Sequence, residues 1–148
     1  GRYLCFVSDT LADDCELNGS FMAHLEFIVN KKDVDLAINL YEQLADGSCI
    51  QLSNNVLRAS LNTDPGKRKV LTPGKVSRLD FKNTFFTSRN LRRGSRIVLL
   101  VGVNKERDWQ INYGTGIDVS KESIKDAKEP LRIDWVSGKS FIQLPVYR

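Results

Sequence analysis

Histidine is nearly missing from this chain: His24 is the only one in 148 residues, beside 3 cysteines, 4 prolines and 1 methionine. A zinc site needs about four ligands, usually His and Cys at short spacings. Neither H-E-x-x-H nor C-x-x-C occurs here, so no metal ligand set is assigned. The shortage also restricts nucleophilic catalysis. The strained elbow G-x-S-x-G, which exposes a reactive serine, is absent, and in that arrangement the histidine follows both serine and acid. Only Ser8 and Ser20 precede His24. His24 falls on the more polar face of its segment and reads as a solvent-facing or interface imidazole. No catalytic residue is assigned.

Cysteine is equally unhelpful. Cys5, Cys15 and Cys49 are odd in number and widely spaced, and they read as small buried hydrophobes. The longest apolar run, Ile97 to Val101, suits a buried strand and falls far short of the roughly 18 residues of a membrane helix. Gly114-Thr115-Gly116 begins like a dinucleotide fingerprint, but Val119 stands at the third glycine position and no strand–turn–helix unit surrounds it. No cofactor is expected, and neither is a membrane partner. Asn18-Gly19-Ser20 has the form of a glycosylation sequon and is read as a turn. The chain begins at Gly1 rather than Met and enters a strand near Tyr3, so a fragment of a longer chain is expected and localisation is not readable.

What is present is ordinary in amount and uneven in placement. Apolar residues make up 41% and charged residues 27%, as in a soluble globular domain. The length suits one domain, residues 1–148, which buries about 68–70% of its unfolded surface and needs no disulfide or metal staple. Residues 1–65 hold 4 basic and 10 acidic side chains, whereas residues 66–107 hold 12 basic and 2 acidic.

Period-two alternation dominates, with turn residues every 8–12 positions, the pattern of an all-β sandwich or barrel. Phe21, Ala23, Leu25, Phe27 and Val29 share one face of a strand. Leu36, Ile38 and Leu40 lead to Asp46-Gly47, a hairpin turn, and Ile50 and Leu52 return. Leu57, Ala59 and Leu61 alternate before a turn at Asp64-Pro65-Gly66, and Pro73-Gly74 precedes a strand with Leu79 and Phe81 on one side. Residues 97–101 are apolar on both faces, which predicts a central strand. Leu131, Ile133 and Trp135 mark a late strand; residues 141–146 form the last, with Pro145 at an edge. One short helix is expected over residues 120–127, capped by Ser120.

The basic middle, with Lys67, Arg68 and Lys69 at one turn and Arg89, Arg92, Arg93 and Arg96 around another, raises nucleic acid as a partner. Such a site wants exposed aromatics between the charges. Phe81, Phe85 and Phe86 read instead as core, so the charges are assigned to solvated turns or a domain interface and no nucleic-acid partner is expected. The loop 104–116 groups Trp109 and Tyr113 with Arg107, residue types enriched at binding hot spots. These three, with Arg92 and Arg93, are the candidate interface. For Trp109 the alternative is a plug for the open end of the sandwich.

An ordered series of segments resembles a known family. Residues 6–19, the Asp33 to Tyr41 strand, Leu57-Arg58-Ala59-Ser60, Leu71-Thr72-Pro73-Gly74 with residues 76–79, residues 86–97, Asn112 to Gly116 and residues 141–146 follow the motif order of one domain. That domain is the C-terminal one of Xaa-Pro dipeptidyl-peptidases and cocaine-esterase-type acyl hydrolases. Ser95 stands where the family usually has histidine, Val103-Asn104-Lys105 replaces a serine-rich stretch, and residues 117–129 are extra. The resemblance implies a galactose-binding-like jelly-roll sandwich, packed on an upstream α/β-hydrolase domain that supplies a Ser-Asp-His triad. The chain itself is then a non-catalytic accessory domain, with self-association left open. The alternative is a carbohydrate-binding module that stacks sugars on Trp109 and Tyr113.

Overall fold

In the computed structural model the described residues are 3–106 and 108–148. They form eleven strands: β1 (Leu4–Val7), β2 (Cys15–Gly19), β3 (Met22–Val29), β4 (Asp35–Gln43), β5 (Cys49–Arg58), β6 (Val76–Phe81), β7 (Thr87–Leu91), β8 (Arg96–Val103), β9 (Ile133–Trp135), β10 (Phe141–Gln143) and β11 (Val146–Tyr147). The first eight pair in nested fashion. β4 joins β5, β3 joins β6, β2 joins β7 and β1 joins β8, all antiparallel. This is a long hairpin rolled on itself, the wrapping of a jelly roll.

Two layers result. One is a four-stranded sheet in the order β1-β8-β4-β5. The other is built from ribbons broken by a corner: β2 continues into β3, and β6 into β7. Along the outer edge of the β2–β3 ribbon lie β11, β10 and β9 in turn. Pro145 sits between β10 and β11, where its carbonyl accepts from the Asn18 N–H at 3.0 Å, in keeping with an edge position.

The core lies where the expected alternation puts it. Phe21, Ala23, Leu25, Phe27 and Val29 all point inward and are buried, beside Leu79 and Phe81 of the neighbouring β6 and facing Leu36 and Ile38 from β4. A second cluster gathers Leu17, Leu40 and Leu91 below the corner. β8 is central, between β1 and β4, as its two-sided apolar run requires. In the β4–β5 hairpin only Gly47 takes a positive φ (87°), closing a turn from Leu44 to Ser48.

Four local expectations are corrected. Residues 120–127 form no α-helix; short 3-10 turns occupy Val119–Lys121 and Ile124–Ala127, capped by Asp118 and Ser123. The reason is Glu122 between them, held extended while its carboxylate binds amides of another loop. Ala59–Leu61 is likewise a 3-10 turn rather than strand, because Ser60 turns inward to Asp33. Cys5 and Cys49 are exposed and Cys15 half-buried, all three unpaired. Phe85 and Phe86 are 69% and 70% exposed, since Phe81 fills the core and the two lie on the corner between β6 and β7.

Glu42 of β4 anchors the turn between β7 and β8. It is fully buried, accepting from Arg89 Nε at 2.5 Å and from the Arg92 N–H at 3.0 Å. Burial pushes its carboxyl up, but hydrogen bonds from Arg92, Arg89 and Ser95 and the Arg89 charge outweigh this and hold it below its ordinary 4.5. A carboxyl lowered by folding contributes stability above the unfolded value and loses it as pH falls through the folded one. Glu42→Gln is therefore expected to lower stability at neutral pH by about 2–3 kcal/mol. Below pH 4.5 its difference from wild type narrows, as denaturant titrations at stepped pH measure.

Candidate functional site

The polar centre of the molecule lies at the start of β4, where Asp33 and Asp35 lead into the apolar run Leu36-Ala37-Ile38. Asp33 is fully buried. Its Oδ1 accepts from the N–H groups of Val34 and Ser60, both at 2.9 Å, and its Oδ2 from Ser60 Oγ at 2.7 Å and Arg68 Nη1 at 3.1 Å. Four donors leave the carboxylate well compensated, which an unpaired buried charge would not be. Asp35 receives both Nε and Nη2 of Arg58 at 2.8 Å, a bidentate fork, and Asn112 Nδ2 at 2.8 Å. Hydrogen bonding to Asp35 raises the pKa of the Arg58 guanidinium above its ordinary value.

Asn112 carries the network onward into the 104–118 loop. Its Oδ1 accepts from the Gly114 N–H at 2.8 Å, and the Gly114 carbonyl accepts from the Lys32 N–H at 3.0 Å. Gly114 is required there: its φ is +81°, and a Cβ would lie 2.7 Å from Lys31 Cβ and 3.0 Å from the Asp33 carbonyl oxygen. Glu122 then clamps the loop, accepting from the Tyr113 and Thr115 N–H groups at 2.8 Å each and from Thr115 Oγ1. Three of the segments that carry the resemblance, around Asp33, Arg58 and Asn112, thus meet in one place. Sequence reasoning did not pair them. The signal that could have done so is the pair of acids at alternate positions opening a buried strand.

The described candidate interface residues fall into two groups. Trp109 and Tyr113 follow β8, whereas Arg92 and Arg93 precede it, about 25 Å away along an extended strand of that length. Arg107 lies outside the described residues. Trp109 is 51% exposed and, with Phe85, flanks a groove of about 450 Å3 floored by Leu57, Leu61 and Phe81 and edged by Asn62 and Asn83. Tyr113 is half-buried, does not line that groove, and is held by its backbone to Glu122. Arg92 points outward, 3.8 Å from Asp14, and the Arg93 N–H donates to Asp14 Oδ1 at 2.6 Å. His24 bonds Asp80 at 2.6 Å through Nδ1, lies 3.6 Å from Glu26 through Nε2, and stacks on Phe141. Among the described residues no three His, Cys, Asp or Glu side chains are placed to hold a metal ion, and no helix is long and apolar enough to cross a membrane.

The nested pairing and the two layers define a β-sandwich module of the jelly-roll class. The chain belongs to the family described as the X-Pro dipeptidyl-peptidase C-terminal non-catalytic domain, whose model matches residues 2–134. No curated protein matches it by sequence. Among solved structures it is similar to an aminopeptidase from the marine sediment archaeon Thaumarchaeota archaeon, with a TM-score of 0.89 at 16% identity over 99% of this chain and 26% of that one. It is similar also to an α-amino acid ester hydrolase, with a TM-score of 0.86 at 19% identity over 97% and 25%. A CocE/NonD family hydrolase from Staphylococcus aureus gives 0.71 at 14% identity over 99% and 30%. At these identities the likeness is one of fold, and the chain spans between a quarter and a third of each solved relative.

Removing Asp35 leaves Arg58 and Asn112 without their shared acceptor. Asp35→Ala is expected to cost about 3–5 kcal/mol. It should also speed amide exchange at Tyr113 and Thr115, which denaturant unfolding and hydrogen exchange together measure.

Proposed function

We propose that residues 1–148 act as one accessory domain of a serine hydrolase of the dipeptidyl-peptidase or acyl-esterase type. It packs on, and stabilises, an α/β-hydrolase domain that carries the Ser-Asp-His triad. The observation that carries this reading is the family match over residues 2–134, a family described as non-catalytic. It is supported by neighbours that are an aminopeptidase and an ester hydrolase, each with about three quarters of its chain outside the shared region. Peptide, ester and amide substrates of the whole enzyme are all compatible with this role. The 148-residue chain, assayed with X-Pro p-nitroanilides and p-nitrophenyl esters, is expected to give no turnover. Turnover abolished by a single serine substitution would overturn the reading.

A second reading draws on the groove beside Trp109. An exposed tryptophan and phenylalanine flanking amide side chains suit stacking on a sugar ring, with Phe85 in the place the sequence assigned to Tyr113. Calorimetric titration with a panel of oligosaccharides separates the two readings. The accessory role expects no heat, whereas micromolar binding lost in Trp109→Ala would favour the carbohydrate module.

A further inference from the structure

The sandwich is stitched along one side and open along the other. On the β5 side the layers are tied by Phe85 N–H donating to the buried Asn55 Oδ1 at 3.0 Å, Thr87 Oγ1 to the Leu52 carbonyl at 3.2 Å, and Arg89 to Glu42. On the opposite side the edge strands are β1 in one layer and β10 and β11 in the other. Among the described residues no hydrogen bond joins β1 to β10 or β11.

A trough runs between these edges. One stretch, of about 400 Å3, reaches the core residues Leu25 and Val101. It shares Phe6, Leu99 and Ile142 with a second stretch of about 580 Å3 beneath residues 8–12. Its lips are Phe6, 55% exposed, and Phe141, 57% exposed. No charged side chain lines the first stretch, although 27% of the chain is charged, whereas Asp9 and Arg148 line the second. An apolar opening that leads into the core, rimmed by exposed aromatics, is the mark of a buried contact rather than a solvated surface. At the far end the Arg92–Arg93 turn ties to the segment above it, Gly94 N–H to the Leu11 carbonyl and Leu11 N–H to the Ser95 carbonyl, both at 2.9 Å. Arg92 and Arg93 themselves line neither stretch.

We propose that this trough is the docking surface for the hydrolase part of the larger chain, with Phe6 and Phe141 as its anchors. The inference rests on the accessory-domain reading above. The uncharged walls of the first stretch select the occupant: phosphates and sugars require charged or densely hydrogen-bonding walls, while a permanent protein interface resembles a domain core cut in half. Connectivity selects it too. The family is described as C-terminal, and 25–30% of each solved relative is matched, so in those relatives most of the chain precedes the strand equivalent to β1, which here forms one lip. A tethered partner meets the trough at high effective concentration, without a separate encounter.

Hydrogen exchange compared between the 148-residue chain and the complete hydrolase that carries it tests the proposal. Residues 4–7 and 141–147 are expected to exchange at least about tenfold more slowly in the hydrolase, with residues 83–86 and 108–113 unchanged. Phe6→Asp in the hydrolase should restore fast exchange at 141–147. Because Phe6 is already half exposed, the same substitution should leave the melting temperature of the 148-residue chain unaltered. Protection that survives Phe6→Asp overturns the proposal. Slowing confined to another surface also overturns it, while sparing the accessory reading; no slowing anywhere removes the accessory reading itself. Protection of the trough in the 148-residue chain that grows with concentration assigns it to a second copy and is likewise fatal.

Discussion

Neutralisation of buried acid by arginine is the constraint on which this fold depends. Glu26, Asp33, Asp35 and Glu42 are all buried, and each meets an arginine: Arg78, Arg68, Arg58 and Arg89. An uncompensated carboxylate in such places costs several kcal/mol, so the strands bearing them can bury only when the arginines arrive. The charge imbalance along the chain follows from this. The acidic first 65 residues and the basic stretch that follows are not separate surfaces; Glu26–Arg78, Asp33–Arg68, Glu42–Arg89 and Asp14–Arg92 join one to the other across the fold. Four of the 12 basic side chains in what looks in one dimension like a patch for an external polyanion thus serve as counter-charge to the molecule's own acids.

The same pairing explains how the loops are placed. Asp33 fixes the 58–68 segment through Ser60 and Arg68, and Asp35 holds Asn112 at the head of the 112–118 segment. Three of the family-like segments acquire a physical meaning here: those around Asp33, Arg58 and Asn112 each contribute one part of a single hydrogen-bonded knot.

Much of the fold was legible because period-two alternation reports directly on a two-layer sandwich. The faces of β3, β4 and β6 and the central place of β8 were read correctly from side-chain pattern alone. Where the reading failed, a long-range polar contact or a corner overrode local preference. Ser60 leaves the expected strand because Asp33 claims its N–H, and Glu122 interrupts the expected helix because the amides of Tyr113 and Thr115 claim its carboxylate. Phe85 and Phe86 were taken for core because hydrophobicity shows a residue's type and not that the ribbon turns beneath it. The trough was invisible for a similar reason: Phe6 and Phe141 are 135 positions apart, and only the rolled topology makes them neighbours.

The nested pairing also fixes the order in which partners become available during synthesis. The β4–β5 hairpin closes over a five-residue loop, but Leu4 finds its partner only at Val101. A ribosome building the chain from its amino end therefore makes β1 first among these strands and leaves it unpaired until nearly a hundred further residues have emerged. Its Leu4, Phe6 and Val7 spend that interval without shelter, so this short strand is the point at which a nascent chain most needs a chaperone or an already folded neighbour.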